Sequence, residues 1–186
     1  MEINKKNRAP EIAMVFFLAT EVFFFAGLIS AYWILRAQIS PWPPVNQPRL
    51  PVMMTGINTL ILIASGVAIL QTKRALHKGC NFCVVGWLGL AALGGLIFLL
   101  VQGFEWIRLI HFGMTTVANI YGGTFYIVVG AHAAHMLAAM IFLTVIFFKA
   151  VQGRYTENRN TELTLCRMYW IFVVAVWPVI YGLVYF

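Results

Sequence analysis

Apolar residues dominate five long segments, at positions 12–35, 52–71, 83–107, 121–148 and 168–186, and the short stretches between them collect Lys, Arg, Pro, Asn and Gly. A helix rises about 1.5 Å per residue, so segments of about 20 residues reach across the hydrocarbon core of a bilayer, about 30 Å. The pattern predicts an all-α fold: a polytopic transmembrane helix bundle of five transmembrane helices. Nearly all 186 residues are spent on these spans and their connectors. Residues 1–186 are therefore expected to form one transmembrane helical-bundle domain, with no room for a soluble catalytic domain. No internal repeat or low-complexity stretch interrupts it.

Composition strengthens the membrane reading. With 61% hydrophobic residues, 10% charged residues and 15 Phe, the chain has too little polar surface to face water on all sides. Lys5, Lys6 and Arg8 before the first span could suggest a cleavable signal peptide, but the apolar segment is too long for one, and an uncleaved first helix is expected. The cations are unevenly spread. The N-terminus, the second connector (Lys73, Arg74, Lys78) and the fourth (Lys149, Arg154, Arg159, Arg167) hold ten, whereas the alternate connectors hold only Arg36, Arg49 and Arg108. Positive residues are retained on the cytoplasmic side, so the N-terminus is expected inside and the C-terminus outside. The net charge of +7 then reflects loops facing anionic lipid, and no nucleic-acid partner is implied.

The connectors and the second span add local expectations. Pro41, Pro43, Pro44, Pro48 and Pro51 predict a stiff, extended, non-helical outer loop, with Trp42 as an interfacial anchor. Asn58, Thr59, Ser65 and Gly66 read as a helix-packing face.

Few residues in the spans can carry chemistry. Glu21 is the one side chain in positions 12–35 that carries a charge near neutral pH, and it lies near mid-depth. An ionised carboxylate there is costly unless it is paired, protonated or facing protein or water, so Glu21 is either a functional proton-handling group or a neutral acid bonded to a neighbouring helix. Gln102 and Glu105 share a face near the outer boundary of the third span, where Glu105 could reach the headgroups or Arg108. His132 and His135, three apart in the fourth span, could ligate a metal. A di-iron bundle, however, needs Glu-x-x-His pairs on facing helices, and a bis-His haem needs axial ligands on two helices. Neither pattern is present, since His77 and His111 fall in connectors. Counting rise places His135 at about the depth of Glu21. The sharper expectation is a hydrogen-bonded Glu and His group between the first and fourth helices. Cys80 and Cys83, with His77 ahead of them, lack the further ligand of a zinc site and the βαβ setting of a redox motif. On the expected reducing side they imply no disulfide, and Cys166 reads as a small core residue.

The ordered motifs resemble subunit III of the haem-copper respiratory oxidases (cytochrome c oxidase), in a short five-helix form. The matching stretches run from Thr20-Glu21-Val22-Phe23-Phe24-Phe25-Ala26-Gly27 and Trp42-Pro43-Pro44 through Asn58-Thr59 with Ser65-Gly66 and Gln102-x-x-Glu105. They continue with Tyr121-Gly122-Gly123-Thr124-Phe125, Gly130-x-His132-x-x-His135 and Tyr169-Trp170-Ile171-Phe172 through Trp177. Each motif is weak alone, and their shared order over five helices is specific. The resemblance implies a non-catalytic subunit of a proton-translocating oxidase in a cell (inner) membrane, with no active site, haem or copper of its own. Haem and copper are expected in partner subunits. It also implies direct packing on oxidase subunit I, further partners including subunit II, contact with membrane lipids, and support of proton uptake and stability during oxygen reduction. Glu21, His132, His135 and Glu105 are the expected proton-handling or buried polar group.

The match has departures. Ile171 and Val174 stand where the family pattern carries His and Asp. Mitochondrial-type members have seven helices and the likeness starts at their third, so the lipid-holding cleft that the first two form is expected to be absent or completed by another subunit. Quinol oxidases and a subunit III-like accessory of nitric oxide reductases share the short form. A stand-alone proton or ion channel is the alternative from another class, which co-purification with a haem protein would separate.

Overall fold

The computed structural model describes residues 8–44, 48–117, 119–157 and 159–186. These residues form five α-helices and no named strand: α1 Ala9–Ala37, α2 Val52–His77, α3 Asn81–His111, α4 Ile120–Val151 and α5 Thr161–Val184. All five are long and apolar enough to cross a membrane. They run past the limits that hydropathy predicts, because backbone hydrogen bonding continues into polar ends that leave the hydrocarbon. Two sequence expectations are corrected by this. His77 and His111 are the last residues of α2 and α3 rather than connector residues, and α5 begins seven positions before 168. Cations sit in the last turns of α1 to α4 (Arg36, Arg74, Arg108, Lys149) and Glu11 and Glu162 in the first turns of α1 and α5, signs that complement the helix dipole.

Three helices end the same way. Gly79, Gly113 and Gly153 follow α2, α3 and α4 with φ of 65°, 84° and 68°. That left-handed geometry lets Cys80, Met114 and Arg154 donate their amides back to Ala75, Leu109 and Lys149 at 3.0 to 3.2 Å.

Helices α2 to α5 close a ring, with α2 on α3, α3 on α4, α4 on α5 and α5 back on α2. Helix α1 lies outside it against α4 and α5, with no close backbone approach to α2. The closest seam is α2 with α3, where a Cβ added to Gly94 would stand 2.7 Å from Cβ of Ser65. The small and polar face of α2 packs: Trp170 Nε1 donates to Ser65 Oγ at 3.1 Å and Trp177 Nε1 to Thr59 Oγ1 at 2.8 Å. Ile171 and Val174 fill the space against Gly66 with hydrocarbon.

Chain direction alternates. Arg36, at the end of α1, donates to the carbonyls of Leu183 and Phe186 at 3.2 and 3.0 Å, and Tyr121, at the start of α4, donates to Pro48 at 3.4 Å. At the opposite end, Asn81 donates to Ala150 at 3.2 Å and His77 pairs with Glu157 at 2.8 Å. Trp42 is tied into the first of these ends, its ring 5.9 Å from Tyr32 and 4.9 Å from Tyr121. Phe25 and Tyr32 are the buried residues of α1, while Phe16 and Phe23 are 70% and 78% exposed. Such a surface suits contact with lipid or another subunit, not water.

Candidate functional site

Glu21 faces α4 from the middle of α1, and its Oε2 stands 2.7 Å from Nε2 of His135. The other ring nitrogen, Nδ1, lies 2.7 Å from the carbonyl oxygen of Ala131, one turn earlier on α4. A carbonyl only accepts, so Nδ1 carries a hydrogen. Nε2 then either accepts from a protonated Glu21 or, in the doubly protonated ring, donates to its carboxylate. The two forms differ by one proton moved across one short hydrogen bond, and neither leaves the pair with net charge, which is what a mid-bilayer site tolerates. The rings of Phe24 and Phe25 stand 5.6 and 5.0 Å from the imidazole. The side chains keep 17% and 19% of their surface open, so the pair is reachable from outside the bundle.

His132 is three residues away yet does not join the pair. It is 1% exposed, and neither ring nitrogen has a hydrogen-bond partner among the described residues. Trp177 lies 4.9 Å away, Phe98 6.1 Å and Phe25 6.4 Å, ring centre to ring centre.

Glu105 is elsewhere again. The sequence expectation that it meets the headgroups or Arg108 is corrected, since Glu105 is buried at 3% exposure. Thr55 Oγ1 donates to its carboxylate at 2.9 and 3.1 Å, and Gln102 Nε2 reaches it at 3.4 Å. Gln102 also reaches Tyr185 Oη at 3.3 Å. Helix rise and face predict the depth of Glu105, but not that α2 brings Thr55 opposite it. Thr55 and Tyr185 carried no signal in the sequence, being ordinary residues near helix ends. The four expected site residues are thus one bonded pair, Glu21 with His135, and two separate buried groups.

A haem or copper does not fit these histidines. Both nitrogens of His135 are engaged, and the fully buried ring of His132 is packed among Trp177, Phe98 and Phe25. Among the described residues no group of three or more His, Cys, Asp or Glu side chains is arranged to hold a metal ion. The expectation of no disulfide is also corrected: Cys80 and Cys83 are joined, with Cα atoms 5.3 Å apart. The first turn of α3 brings the two sulfurs together, since Cys80 is its N-cap and Cys83 lies three residues on. Cys166 is free and buried as expected.

The sequence model of cytochrome c oxidase subunit III matches residues 5–186. The chain belongs to that family. Cytochrome c oxidase subunit 3 of Synechocystis is 32% identical over 188 residues, which cover 99% of this chain and 79% of the relative. The Corynebacterium diphtheriae subunit is 33% identical over 187 residues, covering 99% and 90%. The subunit of Lemur catta is 32% identical over 178 residues, covering 92% of this chain and 64% of its own length. As a subunit III of the haem-copper oxidases, the chain is a multi-pass membrane protein of the respiratory chain. The quinol oxidase, nitric oxide reductase and stand-alone channel readings are not favoured.

Proposed function

We propose that this subunit III is a non-catalytic partner in a cytochrome c oxidase, and that it exchanges a proton at the Glu21–His135 pair to sustain proton uptake into the catalytic subunit. The observation that carries this reading is the single short hydrogen bond between Glu21 and His135, at 2.7 Å, on a site open along one edge. A proton can move between the two groups without creating net charge in the bilayer. Haem and copper belong to partner subunits in this reading, which the engaged nitrogens of His135 and the tightly packed, buried ring of His132 support. Subunit I packs directly on an apolar outer face, subunit II is a further partner, and lipid covers the rest. Residues 1–186 act as one bundle domain in the cell (inner) membrane, with the N-terminus inside.

The test is a spectrum and subunit census of the complex purified through this chain, followed by metal analysis of the separated subunit. The complex is expected to contain haem, copper and a larger catalytic subunit, and the isolated chain none of the metals. Stoichiometric haem or copper retained by the isolated chain would overturn the proposal.

A further inference from the structure

The disulfide between Cys80 and Cys83 lies at the end of the bundle that the Lys and Arg distribution places on the inner, reducing side. Disulfides in a reducing compartment are usually transient and serve catalysis or redox sensing. This one spans a sequence separation of 3, inside a turn that the start of α3 already forms, so it ties no distant parts of the chain together. Short loops gain least from such a bridge.

The surroundings carry chemistry. Cys80 lines a recess of ≈ 210 Å³ together with Leu76, His77, Asn81, Tyr155 and Glu157. Cys83 packs against the core instead, so Cys80 is the half of the bridge that a visitor to the recess meets. His77 Nδ1 stands 2.8 Å from Glu157 Oε1. A carboxylate only accepts, so Nδ1 carries the hydrogen, and Nε2 of the neutral ring presents a lone pair. An imidazole oriented by a carboxylate in this way is suited to take a proton from a nucleophile. Cys80 Sγ accepts from the amide of Cys83 at 3.3 Å, as the N-cap of α3. A thiolate formed at Cys80 therefore meets an N–H donor and the positive end of a helix. Lys78 and Arg154, exposed in the turns that border the recess, favour a visitor that carries carboxylates.

We propose that Cys80 and Cys83 form a thiol–disulfide exchange site, with His77 as its base and a small thiol bearing carboxylates as its substrate. His77 Nε2 takes the proton of the incoming thiol, and the thiolate attacks Cys80 Sγ. A new S–S bond forms there, the bond to Cys83 breaks, and Cys83 leaves as a thiolate that receives the proton from the imidazolium. A second thiol, deprotonated in the same way, attacks the sulfur of the first. The two depart as their mixed disulfide, and Cys80 is released and protonated. The protein disulfide has gained two electrons and two protons, which the two small thiols have lost. The site is independent of proton exchange at Glu21 and His135. It rests on the inner placement of this end, which cysteine labelling at 116 and 152 tests separately.

The test uses the intact oxidase complex and glutathione as the probe. After equilibration in buffers from fully oxidised to fully reduced glutathione, the complex is acid-quenched, denatured and alkylated, and the mass of this chain counts its thiols. One alkylated cysteine, Cys166, is expected at the oxidised end and all three at the reduced end, reversibly. With oxidised glutathione, the dithiol-breaking variant Cys83→Ser is expected to accumulate the glutathione adduct on Cys80 at least tenfold faster than Cys80→Ser accumulates it on Cys83. His77→Gln is expected to slow reduction by glutathione several-fold with an unchanged haem spectrum. That difference is expected to vanish above about pH 9.5, where a small thiol ionises without a base. A pair that stays oxidised, or stays reduced, across all the buffers would overturn the site. Reduction by a dithiol protein of the thioredoxin type where glutathione fails would overturn the substrate class. Equal rates in the two serine variants would refute Cys80 as the point of entry, and wild-type reduction in His77→Gln would refute the base.

Discussion

Trp177 Nε1 donates to Thr59 Oγ1 at 2.8 Å and thereby ties α5 to α2 in the interior of the ring. The Thr59 hydroxyl passes its own hydrogen to the carbonyl of Thr55 at 2.7 Å. Both Trp177 and Thr59 are buried. Thr59→Val keeps the branched shape and leaves the indole N–H without an acceptor, which costs about 1–3 kcal/mol. The thermal midpoint of the detergent-solubilised complex, measured for the variant and wild type, is expected to fall accordingly. An unchanged midpoint would show that this bond contributes nothing to the seam.

Close helix approach is tested at two glycines of α3. A Cβ on Gly95 would stand 2.5 Å from Trp170 Cη2 and 2.8 Å from Met136 Cε, whereas one on Gly86 would meet nothing within 4 Å. Gly95→Ala overpacks the core and is expected to destabilise by about 1–3 kcal/mol. Gly86→Ala is expected to be neutral or to gain up to about 1 kcal/mol from helix propensity. Thermal unfolding of the two variants, ranked against wild type, checks the contrast, and the reverse order would contradict it.

Orientation in the membrane rests on the ten-to-three distribution of Lys and Arg. The loop positions Gln47 and Asn158, natural choices for labelling, lie outside the described residues. Thr116 and Gln152 serve instead, exposed just outside opposite ends of α4. Single cysteines at these two positions are expected to react with an impermeant reagent from the outer side at 116 and from the inner side at 152. Labelling in the opposite sense would invert the topology.

Much of the fold was legible because hydropathy and length decide a membrane span almost without reference to tertiary contacts. The ends were less so, since helices continue into polar residues such as Glu11, His77 and Glu162 once the hydrocarbon requirement lapses. The meeting of Glu21 with His135 could be anticipated from matching depths on two helices. What separates His135 from His132 could not. Three residues turn a helix by about 300°, so the two rings point about 60° apart, enough to send one toward α1 and the other into the core. Glu105 was misread because its partner, Thr55, comes from a helix whose rotation the sequence does not specify. For Cys80 and Cys83 an argument from compartment gave way to the local geometry of the first turn of α3.

The role of the Glu21–His135 pair is decided by oxygen consumption and inactivation lifetime of reconstituted complex carrying Glu21→Gln. The amide of Gln can still donate to His135 Nε2 but cannot exchange the proton, so the complex should assemble, while turnover falls or the lifetime shortens several-fold. Glu21→Ala should be worse on both counts, because it leaves the imidazole unpaired in the bilayer at a cost of about 1–3 kcal/mol. A Glu21→Gln complex that matches wild type in both rate and lifetime would contradict a proton-exchanging role and leave the pair as a structural hydrogen bond.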